Sequence, residues 1–292
     1  MKFHLGYLLI LTALVLLNSS CVEKAKPASL QIIRVYTDYP KSFDAYSFRD
    51  FGRKEHIQVL LYHKSTDAII KQINERKWQS GVDIVVFKNA MDLERLRSIG
   101  AITPPKSDTL FYQPILIDPY VFHFPFDTIP LFSSYSKVFR NDLVKIDPNA
   151  IRDEREWSNL IGGLIQKYPK VNPQKIYDKI LRTDLLEKEG IKQLQIIPYS
   201  LVKGKMKITF PDQYSKGTVG KIGGMAIVKQ AKYSANARIL YKYCLQKWWR
   251  KKLAAKLKLF PFVDEMKDNL SNTLLYNEVI KNWEFIKKVQ KP

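Results

Sequence analysis

The tightest constraint on this chain lies in residues 30–104, where apolar runs alternate three times with amphipathic stretches. LQIIRVYTD (30–38) is rich in β-branched and aromatic residues and ends in a polar corner, which predicts a strand. FDAYSFRDFGRK (43–54) sets Phe43, Tyr46, Phe48 and Phe51 at roughly helical spacing, and HIQVLLYH (56–63) predicts a second strand. Ser65, Thr66 and Asp67 carry side-chain oxygens that can cap the next helix, whose Ile69, Ile70 and Ile73 share one face. VDIVVF (82–87) predicts a third strand. The polar pair Lys88 and Asn89 follows, and then a helix with Leu93, Leu96 and Ile99 on one side, closed by Gly100 and Pro104.

Such β-α-β-α-β-α alternation implies an α/β protein built on a parallel sheet with helices on its faces. Ligands of these sheets bind outside the carboxyl ends of the strands. The polar corners are therefore the candidate site: Thr37, Asp38 and Tyr39, then Ser65, Thr66 and Asp67, then Lys88 and Asn89. Free N–H groups at helix starts favour an anion or a carboxylate. Plain helix capping accounts for the same residues equally well.

The texture changes further on. Residues 110–140 are aromatic and interrupted by proline, which predicts extended chain crossing between two lobes. Residues 147–192 are polar and helical in pattern, and 191–200 and 205–211 predict strands. GTVGKIGG (217–224) reads as a glycine turn or a close backbone approach leading into the strand MAIVK (225–229). Residues 234–258 predict helix, but Trp248 and Trp249 fall off the face set by Ile239, Leu240, Tyr243 and Cys244, so a break is expected near Gln246 and Lys247.

The first twenty residues have the form of an export signal. Lys2 and His4 precede the apolar run LLILTALVLL, which is too short to span a bilayer, and Ser19 and Ser20 lead to Cys21. A cysteine at that place is the lipidation site of bacterial lipoprotein signals. Asn18 stands three residues before it, where an aliphatic residue is usual, with Leu17 one further out. The expectation is a signal over 1–20, lipid on Cys21 and a tether over 21–29. The protein would then sit in the cell envelope, on the periplasmic side, held to the membrane by its anchor. Cys244 is left alone in an apolar helical stretch, where packing is its expected role.

Catalytic patterns are missing. There is no G-x-S-x-G, no Walker loop and no H-E-x-x-H, and none of the histidines has metal-ligand spacing. The formal charge of +20 favours anionic partners. Its densest cluster, QKWWRKKLAAKLK (246–258), holds six basic residues and no acid, and reads equally as a solvated helix face or a binding patch. Nucleic acid is not expected as a partner of an exported, tethered protein.

Three segments carry a resemblance to a family: VYTDYP (35–40) through HIQVLLYHKSTDAIIKQI (56–73) to VDIVVFKNAMDLERLRSIGAITP (82–104), then LFSSYSKVFRNDLVKIDP (131–148), then ITFPDQYSKGTVGKIGGMAIVKQAKYSANARILYKYCLQ (208–246). In order and spacing the chain resembles the extracellular solute-binding proteins of ABC importers, most closely the iron(III)-type binders with a type II periplasmic-binding fold. That resemblance implies two lobes, 30–115 plus 224–292 and 116–223, with a ligand cleft between them. It implies a binding protein without catalysis or cofactor, which takes a small, anionic or metal-containing ligand and delivers it to an ABC permease. Thr37, Asp38, Tyr39, Ser65, Thr66, Lys88 and Asn89 would face the ligand from the first lobe. The segment 131–148 is similar to the family's crossing strand, and Tyr135 there stands where an arginine is frequent, with Ser134 beside it. Ferric binders hold the metal through adjacent tyrosines, and no Tyr-Tyr dipeptide occurs here. The rival expectation is an interaction or structural lipoprotein that kept the fold without a ligand site.

Overall fold

The structure, a computed structural model, describes residues 31–104, 111–124, 132–140, 144–147, 154–181, 192–203, 207–212 and 218–262. The expected signal and tether, Cys21, and residues 263–292 of the expected first lobe lie outside them.

The predicted alternation forms. Strand β1 (Gln31–Thr37) leads through a 3-10 turn (Ala45–Phe48) to helix α1 (Arg49–Glu55). Strand β2 (Ile57–His63) leads to α2 (Thr66–Arg76), and β3 (Ile84–Phe87) to α3 (Ala90–Ser98). β1 lies between β2 and β3 and is parallel to both. Side chains alternate across this sheet because successive Cβ atoms point to opposite faces. Ile33, Val35, Ile84 and Val86 enter one buried cluster, and Tyr36, Val85 and Phe87 enter another.

Helices cover both faces. Ile69 and Ile73 of α2 and Leu93 and Leu96 of α3 seal the second cluster. Ile99 stays 47% exposed, because α3 stops at Gly100, whose φ of +67° turns the chain away. Gly100 N–H then donates to Arg97 O at 2.9 Å and Ala101 N–H to Leu96 O at 2.9 Å, which satisfies the last carbonyls of the helix.

Beyond β3 the sheet is mixed rather than parallel. After the short β4 (Ile102–Thr103) come β5 (Gln113–His123), α4 (Tyr135–Arg140), β6 (Val144–Ile146), α5 (Glu154–Lys167), α6 (Pro173–Leu181), β7 (Lys192–Pro198), β8 (Ile208–Thr209) and β9 (Gly220–Val228). The order along the sheet is β2-β1-β3-β9-β5-β7-β6, and β9 pairs antiparallel with both β3 and β5. The two crossing strands are therefore β5 and β9. The segment 131–148, expected to cross as a strand, instead contributes α4 and β6 to the far side. The glycine-rich 220–224 is not a turn but the first half of β9.

A third buried cluster gathers Tyr120 and Phe122 of β5 with Tyr135, Trp157, Leu160, Leu164 and Ile176. Ile115 and Leu116, earlier on β5, belong to the first cluster instead. Likewise Val219 packs in the third cluster, and Met225 and Ile227 of β9 in the first.

The chain then returns through α7 (Ser234–Cys244) and α8 (Lys247–Leu257) to β10 (Phe260–Pro261), which pairs with β5. The break expected between the helices is present: Gln246 is extended at φ −67°, ψ 132°. It allows Trp249 to turn inward at 1% exposure while Trp248 remains 46% exposed. Cys244 is a free, buried thiol packed beside Tyr243 and Leu240, as its apolar setting predicts. Among the described residues no helix is long and apolar enough to cross a membrane.

Candidate functional site

The carboxylate of Asp38 brings the three sequence-predicted corners together. It sits where β1 ends. Its Oδ1 accepts the N–H of Lys88 at 2.8 Å, and its Oδ2 accepts the hydroxyl of Thr66 at 3.0 Å. The corners after β1, β2 and β3 thus meet on one side chain, because parallel strands end at the same edge of the sheet. Burial pushes the Asp38 carboxyl up from its ordinary value, and the Lys88 N–H, the Lys88 charge and the Thr66 hydroxyl pull it back.

Several corner residues act within the fold. Thr37 is fully buried; its hydroxyl donates to Val86 O at 2.7 Å and accepts from Tyr39 N–H at 3.1 Å. Ser65 caps α2 by accepting from Ala68 N–H at 3.4 Å, and Asn89 caps α3 by accepting from Met91 N–H at 3.0 Å. Lys88 and Tyr39 are different, because both line a cavity of about 280 Å³.

That cavity borders the first cluster, to which Tyr39 and Leu116 belong. Pro40, Leu116, Asp118, Ser200, Leu201, Lys221, Gly223, Leu257 and Leu259 complete its wall. β5 supplies Leu116 and Asp118, and β9 supplies Lys221 and Gly223. Lys221 is only 7% exposed and places its ammonium 3.6 Å from Asp118 Oδ2. Ser200 holds the same carboxylate, donating its N–H to Oδ1 at 2.9 Å and its hydroxyl to Oδ2 at 2.6 Å. The ion pair with Lys221 and the two hydrogen bonds from Ser200 offset the cost of taking the Asp118 carboxylate out of water.

Tyr39 reaches in from the other side. A Cβ placed on Gly223 would stand 2.1 Å from its hydroxyl oxygen, so only glycine fits beneath the ring. The close backbone approach expected of the glycine-rich segment is found, on a strand. Burial first, and the charges of Asp38 and Asp118 after it, raise the Tyr39 phenol well above its ordinary value. The phenol is thus a neutral donor in this cavity.

Ser134 and Tyr135 lie elsewhere. Tyr135 is fully buried in the third cluster, where its hydroxyl donates to Tyr120 O at 3.3 Å and its ring stacks on Phe139. Ser134 bonds with Ser136 and caps the start of α4 by accepting from Lys137 N–H at 3.3 Å. Asp118, Ser200 and Lys221 were not read from the sequence. Lys221 carried a signal nonetheless: it is an ammonium inside the otherwise apolar strand pattern of 219–228.

The chemistry of the cavity is bipolar. Lys88, Lys221 and the Tyr39 hydroxyl offer donors, and Leu116, Leu201, Leu257 and Leu259 give an apolar wall. No group of three or more His, Cys, Asp or Glu that could hold a metal ion occurs among the described residues.

No family model and no curated protein matches the sequence. Solved structures do match. The Trichodesmium iron-binding protein FutA, in complex with iron and citrate, superposes with a TM-score of 0.71 at 17% identity, covering 88% of this chain and 97% of that one. The Mannheimia haemolytica ferric iron-binding protein A, in an open conformation, gives 0.70 at 14% identity over 89% and 97%. The periplasmic binding protein AfuA of Actinobacillus pleuropneumoniae, with fructose-6-phosphate bound, gives 0.58 at 14% identity over 84% and 86%. This chain therefore has the α/β fold of the ferric-binding proteins, the type II periplasmic-binding architecture, over nearly its whole described length.

Proposed function

We propose that the chain is a lipid-anchored solute-binding protein. It captures a small anionic ligand, free or as an anionic metal complex, and passes it to an ABC permease on the periplasmic side of the membrane. The observation that carries this reading is Lys221, a buried ammonium on a crossing strand, facing a cavity walled opposite by Lys88 and Tyr39. Lys88 and Lys221 against the one carboxylate of Asp118 leave the lining positive on balance, which favours an anion over a bare metal ion. A neutral Tyr39 donates a hydrogen bond to ligand oxygen. Neighbours of the same fold bind oxygen-rich anions, iron with citrate in one and a sugar phosphate in another.

The lobes proposed are 30–115 with 224–292, and 116–223. Leu116 packs in the first cluster and Tyr120 in the third, and Val219 packs in the third while Ile222 packs in the second, so the packing changes over within β5 and at the start of β9, a few residues inside the ends of the proposed second lobe. Two crossing strands are a natural hinge, and closure about them would trap the ligand. Cys21 would carry the anchor.

Thermal unfolding of the chain from Val22 onward, which includes every described residue, tests this reading. The panel is citrate, ferric citrate, phosphate, sugar phosphates, sulfate, amino acids and polyamines. A ligand at 100 times its dissociation constant adds roughly 2.7 kcal/mol of stability. The expected result is a clear rise with one class of anion. A folded protein that responds to nothing would reject ligand capture and favour an interaction lipoprotein on the same fold.

A further inference from the structure

We propose that the surface formed by α8 and the 45–59 segment is a docking face for an anionic phospholipid bilayer. It holds the folded protein against the membrane with one orientation. The inference rests on the reading that the chain before Gln31 leads to that membrane.

The first observation is where that chain leaves. Gln31 lines an open groove of about 760 Å³ together with Arg49, Arg53 and His56. Phe48 lines the same groove, and its ring packs on Trp249 of α8 at 5.7 Å between centroids. Trp249 also donates its indole N–H to Ser47 O at 2.9 Å. At the surface, Lys252 reaches Asp50, and Lys256 reaches Asp44 and the ring of Tyr46, so α8 adjoins the segment that walls the groove beside Gln31. Ten residues from Cys21 to Ser29 and Leu30 extend at most about 35 Å. An anchor at Cys21 brings this face, rather than the far end of the molecule, towards the bilayer.

The second observation is what the face carries. Lys247, Lys251, Lys252 and Lys256 are exposed on α8, and Arg49 and Arg53 stand beside them. Asp44 binds Lys256 at 2.7 Å and Asp50 binds Lys252 at 3.0 Å, but Lys251 has no carboxylate partner among the described residues. The balance is positive, and it complements anionic headgroups.

The third observation is the exposed aromatics. Trp248 is 46% and Tyr46 53% exposed. Tyr46 lies under Arg49 at 4.1 Å and Lys256 at 5.7 Å, and Trp248 sits edge-on to Tyr243 at 5.3 Å. Indole and phenol rings settle at headgroup depth, and basic side chains extend past them to phosphate. An acidic protein partner would explain the charge, but it would not explain why the face adjoins Gln31.

The test uses the chain from Val22 onward, so that no lipid on Cys21 contributes. It is mixed with vesicles of phosphatidylglycerol in phosphatidylcholine, or of phosphatidylcholine alone. Binding is read by co-sedimentation and by the blue shift of tryptophan emission. The expected result is binding to the anionic vesicles alone, weakening as salt rises. Arg53→Glu with Lys251→Glu should lower the partition coefficient at least tenfold. Trp248→Ser should reduce the blue shift without changing the salt dependence. Lys170→Glu with Lys175→Glu, exposed charges on the other lobe, should change neither by more than about twofold. Equal loss in both double variants would mean that overall charge alone is responsible, and would overturn the proposal. So would a folded protein that ignores anionic vesicles. Ligand binding in the thermal panel is read separately, so the two proposals fail independently.

Discussion

The hydroxyl of Tyr39 occupies the space that a side chain on Gly223 would need. The first corner of the sheet and the return strand are thereby fitted to one another across the cavity. Gly223→Ala must displace either the ring or β9, because Phe87 O stands 3.1 Å from the new methyl as well. We expect a loss of about 1–3 kcal/mol in stability. Stabilisation by any anion found in the thermal panel should disappear with it. Retained ligand response in a folded G223A variant would show that Tyr39 does not shape the site.

Lys221 gives the second prediction. Lys221→Met keeps the length of the side chain and removes its charge. Asp118 keeps both contacts from Ser200, so the fold should survive at a cost of about 1–3 kcal/mol. Anion affinity should fall at least tenfold, about 1.4 kcal/mol, measured by calorimetric titration. Unchanged affinity would place the ligand outside this cavity.

Asp38 gives a pH dependence whose sign can be derived. Its carboxyl is raised in the folded state by burial, so the native protein holds that proton more tightly than the unfolded chain does. Stability contributed at this site therefore falls as pH rises through the window above the ordinary carboxyl value. Denaturant unfolding of wild type and Asp38→Asn across that window should show wild type losing ground to the variant. The opposite slope would mean that the Lys88 N–H and the Thr66 hydroxyl outweigh desolvation. Asp38→Ala, which leaves both partners without their acceptor, should cost about 1–3 kcal/mol at any pH.

Cys244 gives the fourth. Burial pushes its thiol up and closes it to reagents. The chain from Val22 onward contains no other cysteine. A thiol reagent at mildly alkaline pH should label nothing in the folded protein and one group on unfolding. Rapid labelling of the folded protein would show that the α7 packing opens locally.

Residues 31–104 were legible because each element there is specified by neighbours in sequence. Ser65 and Asn89 cap the helices they precede, and Gly100 ends α3. The corners, Asp38 among them, could be chosen from the alternation alone, although not the bonds by which Asp38 joins them, since Lys88 is fifty residues away. The glycines of 220–224 read locally as a turn. They are in a strand because Tyr39 and the Gln113 carbonyl approach so closely that Gly223 and Gly224 have no room for a Cβ. Tyr135 read as a ligand residue on a crossing strand, but Asp212 accepts its N–H at 3.3 Å and the rings of the third cluster enclose it. Asp118, Ser200 and Lys221 come from three separated segments, so no local pattern could assemble them.

The return of the chain to its first strand through α7 and α8 also sets how far apart in sequence its contacts lie. Asn236 donates to Ile32 O across 204 positions, Trp249 to Ser47 O across 202, and Lys256 to Asp44 across 212. The first strand is among the earliest parts made, yet the helices that cover one of its faces are among the last. Contacts of such sequence separation slow folding, because the loop must close before any of them forms. The early strands stay incompletely covered until the late helices arrive. A chain that is exported as proposed would gain from that delay, since slow closure leaves it threadable for longer during passage.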